Sequence, residues 1–200
     1  MRFLRILFAP LDLTIECVRG LLRQNESALA AWIRRRLHGG NCSIDTQVVI
    51  KNQHGFKAGP RSALYHGTYI LNSHGQLELG PDSHLGAYCY VNACYGRVVI
   101  GSHVAIGPGT KIFSYSNHYR AAAFVTDEKL TEDVTIGSNV FIGANCVILP
   151  GTRIADNVVI GAGSIVRKEL LPNSVYAGVP CRLVRMGWYD AVAESTAAVK

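Results

Sequence analysis

The chain has 200 residues, 48% of them hydrophobic, which suits one domain with terminal appendages. Its formal net charge is +6 at pH 7, but no nucleic-acid-binding motif or aromatic stacking series accompanies that charge, so nucleic-acid binding is not predicted. No apolar run reaches the roughly 18 residues of a membrane-spanning helix, and residues 1–9 lack a convincing export cleavage site.

The segment 1–40 is predicted to form a helical cap. Apolar residues at helical spacing indicate one helix over 11–24 and a second over 26–37, with Asn25 as its N-cap. These helices would cover the open first coil of the repeat region that follows, whose backbone edge is otherwise unpaired. The segment also holds seven arginines against three acidic residues, interleaved with apolar side chains. Peripheral contact with an anionic membrane surface is therefore the alternative to capping.

From residue 42 onwards, apolar residues recur with a period of six. The repeat is degenerate at first, at Ile44, Ile50 and Phe56, and becomes regular before residue 100. Ile100 follows Val91 by nine residues instead of six. About three residues are therefore inserted near 94–97, and the period then continues.

Between residues 113 and 133 the period stops, over the segment FSYSNHYRAAAFVTDEKLTED. The repeat resumes at Ile136, and the interval from Ile112 to Ile136 is a multiple of the period, so the scaffold keeps its register across the interruption. Long irregular excursions from a compact scaffold are commonly functional. The aromatic and polar cluster that opens this loop contains His118, which makes the loop the candidate site.

The most regular stretch covers residues 134–166. A helix would turn six residues through about 240° and scatter the repeated positions, whereas short strands joined by tight corners keep them on one side. Three strands per coil would close a triangular prism, so an all-β repeat fold is predicted. The branched aliphatic residues that define the period are Ile136, Ile142, Ile148, Ile154, Ile160 and Val166.

Beyond Val166 the pattern predicts an exit from the prism. Leu171-Pro172 is expected to turn the chain away from it, and residues 178–180 to form a second turn. The predicted organisation is therefore a helical cap over 1–40, a β-helix domain over 41–180 whose loop 113–133 carries the site, and a C-terminal tail over 181–200.

Cysteine and histidine usage predicts no metal site. The six cysteines and seven histidines show neither paired spacing nor a ligand cluster. A reducing cytoplasm is the expected compartment, at the inner face of the membrane if the N-terminus binds lipid.

Three motifs, IGSNVFIGANCVILPG, VVIGAGSIVRK and AGVPCRLVR, together with SNHYR at residues 116–120, resemble the hexapeptide-repeat acyltransferases. The chain is especially similar to the galactoside, maltose and polysaccharide sugar O-acetyltransferases, over residues 76–186. The resemblance implies a left-handed parallel β-helix, acetyl-CoA as the acyl donor, no metal, and a sugar or sugar-conjugate acceptor. It also implies a homotrimer with sites between neighbouring prisms.

The resemblance assigns the catalytic base to His118, whose imidazole is able to accept a proton near pH 7. The group that orients it stays open between a backbone carbonyl and four acidic residues of the same loop, Asp127, Glu128, Glu132 and Asp133. Asn92 corresponds to an asparagine that contacts the sugar in related enzymes. Acceptor-side candidates from their position beside His118 are Tyr115, Ser116 and Asn117.

The expected contacts with acetyl-CoA follow from the same resemblance. Pantetheine amides would pair with backbone groups at Gly143-Ala144 and Gly161-Ala162, where small side chains permit close approach, and the Ala144 amide would stabilise the oxyanion. The basic residues matched to the nucleotide phosphates are Arg167, Lys168, Arg182 and Arg185.

The predicted function is acetyl-CoA-dependent O-acetylation of a sugar hydroxyl in cell-surface polysaccharide or lipopolysaccharide synthesis. No residue has the setting of an acyl-accepting nucleophile, so direct transfer is preferred. N-acetylation of an amino-sugar nucleotide and O-acetylation of serine are alternatives within the same enzyme class. A non-catalytic β-helix that binds or scaffolds is the alternative from another class.

Overall fold

The computed structural model describes residues 42–45, 47–118 and 124–189, and the predicted N-terminal cap lies outside them. Across these ranges the chain forms 22 strands, most of only two or three residues. They are short because each pair or triplet of apolar and β-branched residues is followed by a corner residue. No helix within the described ranges is long and apolar enough to cross a bilayer.

The first nine strands build three coils, which are β1 (Ser43–Ile44), β2 (Val49–Ile50), β3 (Phe56–Ala58), β4 (Ala63–Leu64), β5 (Tyr69–Leu71), β6 (Gln76–Leu79), β7 (His84–Leu85), β8 (Tyr90–Asn92) and β9 (Arg97–Ile100). The fourth coil contains the loop and comprises β10 (Ala105–Ile106), β11 (Lys111–Phe113), β12 (Tyr115–Asn117), β13 (Lys129–Thr131) and β14 (Val134–Ile136). The remaining strands are β15 (Phe141–Ile142), β16 (Val147–Ile148), β17 (Arg153–Ile154), β18 (Val158–Ile160), β19 (Ile165–Val166), β20 (Glu169–Leu170), β21 (Ser174–Ala177) and β22 (Arg182–Met186).

Three sheets form the faces of a triangular prism. Face A runs in the order β1, β4, β7, β10, β15, β18, β21, β22; face B runs β2, β5, β8, β11, β16, β19; and face C runs β3, β6, β9, β14, β17, β20. Strands within each face pair in parallel, except that β21 and β22 are antiparallel. The architecture is the all-β, left-handed parallel β-helix expected from the resemblance.

Each coil passes from face A to face B and then to face C, so it has an A–B, a B–C and a C–A corner. Residues with left-handed φ make these turns, such as Asn145 at an A–B corner, with φ of 56°. The predicted insertion near 94–97 is confirmed, because the chain between the paired residues Tyr90 and Lys111 is longer than that between the paired residues Val147 and Ile165. The added residues widen the B–C corner between β8 and β9.

One continuous row of aliphatic side chains on each face fills the prism. On face A, for example, Leu85, Ile106 and Ile142 are wholly buried and stack in register. Burying each of these side chains contributes about 1.5–3 kcal/mol relative to exposure. Inside the corners, buried polar groups satisfy backbone carbonyls: the Thr110 hydroxyl donates to the Gly143 carbonyl oxygen at 3.0 Å.

The C-terminal region stays on the prism longer than its sequence predicts. The expectation that Leu171-Pro172 turns the chain away is wrong, because β21 pairs in parallel with β18 and buries Tyr176 in the core. Proline is tolerated there because it lies in a corner, where no ladder N–H is needed. Within the segment described from sequence as a tail, β22 pairs with β21, and Trp188 donates from Nε1 to the Asn157 carbonyl oxygen at 2.7 Å.

Candidate functional site

The loop between β11 and β14 projects from the B–C corner of the fourth coil as an antiparallel hairpin. Its two strands, β12 and β13, pair Tyr115 with Thr131 and Asn117 with Lys129. Continuing that register places His118 opposite Glu128, and the His118 backbone N–H donates to the Glu128 carbonyl oxygen at 2.9 Å. The hairpin therefore supplies a fixed backbone relation between the candidate base and one acidic residue.

His118 and Glu128 also approach each other through their side chains. The imidazole Nδ1 lies 3.5 Å from Glu128 Oε2, and Nδ1 is shielded from solvent. The two side chains are 40% and 37% exposed, so the pair lies at the surface of the hairpin. A carboxylate facing Nδ1 favours the tautomer that carries its proton on Nδ1 and its acceptor lone pair on Nε2. A general base needs an unprotonated nitrogen to accept the proton of its substrate, and in this tautomer Nε2 is that nitrogen.

The other acidic residues of the loop serve different contacts. Asp133 Oδ1 accepts a hydrogen bond from the Arg97 backbone N–H at 2.8 Å, which ties the base of the hairpin to β9. Glu132 extends towards the corner at Gly151, and the Asp127 N–H closes a turn onto the Phe124 carbonyl oxygen at 3.0 Å. Of the four acidic partners left open by the sequence, the structure therefore selects Glu128.

The acceptor-side candidates lie at the same corner as His118. Tyr115 and Asn117 are on β12, where the Tyr115 hydroxyl is 3.5 Å from Asn117 Oδ1, and Ser116 lies between them. Asn92 pairs with Phe113, the residue at which β11 ends before the hairpin. Asn92 Oδ1 accepts from the Cys94 N–H at 3.1 Å, so this side chain also holds the wide corner.

The glycine corners assigned to acetyl-CoA stack on the A–B edge of the fifth and sixth coils. A Cβ added at Gly143 would lie 2.5 Å from the Ala162 backbone nitrogen, so successive coils approach too closely for any side chain. The Ala144 carbonyl accepts from the Gly163 N–H at 2.8 Å. The N–H groups of Ala144 and Ala162, by contrast, donate to no other described residue. Backbone N–H donors beside small side chains fit the amides of a pantetheine arm.

The four basic residues do not come together in one chain. Arg182 pairs with Ala177, which lies directly beyond Gly161, so it extends the A–B corner. Arg185 pairs with Val175 in the middle of face A. Arg167 and Lys168 lie instead at the B–C corner that follows β19, where Lys168 has a φ of 68°. Only Arg182 therefore aligns with the glycine corners of its own chain.

The residues predicted to act as catalytic base and to bind the acyl donor occupy different corners of the prism. His118 belongs to the B–C corner, whereas Gly143 and Gly161 belong to the A–B corner, and the width of face B separates the two edges. A face of about five residues at 3.3 Å each spans on the order of 15 Å, well beyond hydrogen-bond reach. One chain therefore cannot bring both halves of the predicted site into contact.

Buried thiols near these corners are unsuited to carrying an acyl group. Burial raises the pKa of Cys89 to about 11, and it also raises the pKa of the Cys146 thiol. Cys146 Sγ donates to the Gly161 carbonyl oxygen at 3.3 Å, inside the corner. Thiols held protonated and inward are poor nucleophiles.

Comparison with known proteins shows which sequences this chain is similar to. Residues 133–168 match the family model described as bacterial transferase hexapeptide (six repeats). The galactoside O-acetyltransferase of Escherichia coli (strain K12) is 40% identical over 114 residues, which cover 54% of this chain and 56% of that protein. The chain spans about half the length of the curated relatives it matches.

Two solved structures share the fold at low sequence identity. A mutant of AntD, an N-acyltransferase from Bacillus cereus in complex with dTDP and coenzyme A, gives a TM-score of 0.70 at 22% identity, covering 80% of this chain and 88% of that one. A hexapeptide-repeat acetyltransferase from Vibrio cholerae, complexed with acetyl coenzyme A, gives 0.64 at 21% identity, covering 82% and 80%.

Proposed function

This chain is a hexapeptide-repeat β-helix protein, and we propose that it transfers an acetyl group from acetyl-CoA to a sugar hydroxyl. The observation that carries the proposal is the His118–Glu128 pair, held on a hairpin at the B–C corner. A non-catalytic scaffold would have no need of an imidazole oriented by a carboxylate. The similarity to a galactoside O-acetyltransferase supports a sugar as the acceptor.

In the proposed mechanism, His118 Nε2 removes the proton from the acceptor hydroxyl as its oxygen attacks the thioester carbonyl carbon. Glu128 stabilises the imidazolium that forms, because its carboxylate lies beside Nδ1. The Ala144 N–H donates to the developing oxyanion. When the carbon–sulfur bond breaks, the imidazolium returns its proton to the departing thiolate. The products are the acetylated sugar and free coenzyme A.

Direct transfer is favoured over an acyl-enzyme intermediate. The cysteines near the glycine corner are buried with raised pKa, so they lack the thiolate character of a nucleophile. Both substrates would therefore have to be bound at once.

We infer that the active form is a homotrimer, because the site needs two corners that one chain keeps apart. The outward side chains of the prism faces differ in charge, which supports association through particular faces. The outward row of face C is mostly charged, with Lys57, Glu78, Arg153 and Glu169 beside Val99 and Thr135. The outward row of face B is mostly apolar or aromatic, and its charged member is Lys111. Packing the apolar faces of adjacent prisms would bring the B–C corner of one chain to the A–B corner of the next.

Mixing two inactive variants tests the shared site. His118→Ala removes the base, and Ala162→Trp fills the exposed A–B corner, so each pure trimer should be inactive. In random mixed trimers one interface in three joins two intact halves, and about one quarter of wild-type activity should return. Differently tagged copies would verify that mixing occurred. Mixed trimers with no recovered activity, or an active monomer in sedimentation, would contradict the assembly.

Arg182 is expected to bind the nucleotide end of acetyl-CoA. Arg182→Ala should raise the KM for acetyl-CoA about tenfold with little change in kcat, because a charge-assisted contact is lost. The effect should shrink with a cofactor that lacks its 3′-phosphate. Replacing both Arg167 and Lys168 by alanine should also raise the KM for acetyl-CoA if a neighbouring chain supplies these residues to the site. Arg153→Ala on face C is the control, and an equal rise in its KM would rule out a specific contact.

The cellular location and the biosynthetic role of the chain are part of the same proposal. The acetylation would serve cell-surface polysaccharide or lipopolysaccharide synthesis in the cytoplasm, where the basic N-terminal residues would hold the enzyme at the inner face of the membrane. Those residues lie outside the described ranges. The described cysteines are all free, which is in keeping with a reducing compartment.

The proposal is tested by incubating purified protein with acetyl-CoA and a panel of sugars, amino sugars and sugar nucleotides. Release of thiol that depends on a hydroxyl acceptor would support O-acetylation. Release that depends only on an amino-sugar nucleotide would assign the enzyme to the N-acyltransferases, the class to which AntD belongs. Acetyl-CoA that neither binds nor turns over would favour a scaffold.

A further inference from the structure

We propose that Tyr95 is a positioning residue that sets the orientation of the hairpin carrying His118 and Glu128. Tyr95 lies in the widened B–C corner between β8 and β9, in the coil directly below the hairpin. This inference rests on the proposed role of His118 and adds the element that holds it in place.

The hairpin needs an external support. Each of its strands has three residues, and an isolated two-stranded hairpin is marginally stable in water. Its base is anchored by hydrogen bonds: Asp133 accepts from the Arg97 N–H, and the Gly151 N–H donates to the Glu132 carbonyl oxygen at 3.4 Å. The Glu132 N–H in turn donates to the Ser114 carbonyl oxygen at 3.0 Å. Anchors at the base leave the tilt of the distal end, where His118 lies, to be set by side-chain packing.

The Tyr95 ring contacts both strands of the hairpin. Its centroid lies 5.8 Å from that of Tyr115 on β12, and Lys129 Nζ on β13 lies 4.8 Å from its centroid. His74, one coil further down, stacks against the same ring at 5.1 Å with an interplanar angle of 26°. Tyr95 is therefore held from below and supports β12 and β13 from the side of the prism.

These contacts lie close to the catalytic pair along the chain. Tyr115 precedes His118 by three residues, and Lys129 immediately follows Glu128. Gly96 allows the base of the hairpin to lie close to this corner, because a Cβ there would lie 2.8 Å from Ser114 Oγ and 3.1 Å from a Thr131 methyl carbon. A shift of the ring would therefore move both members of the pair together.

The backbone of Tyr95 is held in an unfavourable conformation. Its φ is 59°, in the left-handed region that bulky residues rarely adopt, and the residue is 52% exposed. Gly151 and Lys168 occupy left-handed positions at later B–C corners. Tyr88 and His103 adopt the same conformation at other corners, so the contacts of the ring with Tyr115 and Lys129 are what distinguish Tyr95.

Glycine substitution separates positioning from stability. Tyr95→Gly relieves the left-handed strain while it removes the ring, so the melting temperature should stay the same or rise. The kcat should nevertheless fall by about ten- to 100-fold with the KM for acetyl-CoA unchanged, because misplacement of a catalytic group slows turnover steeply. Tyr95→Phe keeps the ring and should restore kcat.

Tyr88 provides the matched control. It also has a left-handed φ of 59° and is 65% exposed, but its ring covers Gly67 and contacts His66, away from the hairpin. Hydrogen exchange of the hairpin amides gives a readout independent of activity. We expect Tyr95→Gly, and not Tyr88→Gly, to accelerate exchange at residues 115–118 and 129–131 by about tenfold or more.

Unchanged exchange in Tyr95→Gly would overturn the positioning role, whatever the activity. Faster exchange with unchanged kcat would also overturn it if His118→Ala is inactive. If His118→Ala retains full activity, the proposed function fails instead, and faster exchange would still show that Tyr95 orders the hairpin.

Discussion

Replacing His118 by alanine should lower kcat by about 10²- to 10⁴-fold, the contribution expected of a general base. The KM for acetyl-CoA should change little, because the predicted donor contacts are made by residues of the A–B corner and not by the imidazole. The alanine also removes the Nδ1 contact with Glu128 without disturbing the backbone bond between the two residues. A steady-state comparison at saturating acceptor measures the effect.

Two further variants sharpen this result. Glu128→Gln keeps the shape of the side chain but removes its charge, so it should lower kcat by less than the loss of His118. His103→Ala replaces an exposed histidine at a C–A corner and should have no effect. Folded His118→Ala protein with wild-type turnover would remove this residue from the mechanism. An equal loss from His103→Ala would point to general damage.

The coils could be predicted because their determinant is local. A period of six places Ile142, Ile148 and Ile154 on three successive faces, and a period of 18 returns Ile160 to the face of Ile142. The same arithmetic explains the division of the basic residues. Arg167 follows Gly161 by six positions, so it lies one corner further on. The sequence motif that contains both residues had suggested a single cluster.

The hairpin could not be predicted in the same way. Its strands have three residues each and share no period with the scaffold, so the sequence indicated only an irregular loop. Four acidic residues, all between positions 127 and 133, follow His118 in the same loop. Their ranking depends on strand register, which pairs Asn117 with Lys129 and so brings Glu128 opposite His118. That register in turn depends on packing against the coil below, which no local pattern encodes.

Tyr95 was overlooked because a corner tyrosine resembles an ordinary surface aromatic residue. The sequence holds one signal, which is the three-residue insertion that lengthens the corner near 94–97 and contains Tyr95. An inserted corner with a bulky residue at its turn, one coil before a long loop, is a pattern that is visible in the sequence.

Substituting Gly143 by alanine should destabilise the fold by about 3 kcal/mol or more, as an overpacked contact between backbones. The new Cβ would lie 2.5 Å from the nitrogen and 2.7 Å from the Cα of Ala162. Backbone atoms of a stacked coil are unable to move aside as a flexible side chain would. Relief would require separation of the fifth and sixth coils, and so loss of the bond from the Gly143 N–H to the Ile160 carbonyl oxygen at 2.8 Å.

Gly163→Ala is the matched control for this prediction, because Gly163 lies two residues beyond Gly161 at the same A–B corner. Its φ is 71°, but a Cβ there meets nothing within 4 Å. Gly163→Ala should therefore lower the free energy of unfolding only by the cost of an alanine in the left-handed conformation, roughly 1 kcal/mol. Thermal unfolding at one fixed protein concentration should show a Tm lowered by about 10 °C for Gly143→Ala and about 3 °C for Gly163→Ala. Equal losses of Tm in the two variants would contradict the prediction. They would mean that close approach between the coils does not require glycine at position 143.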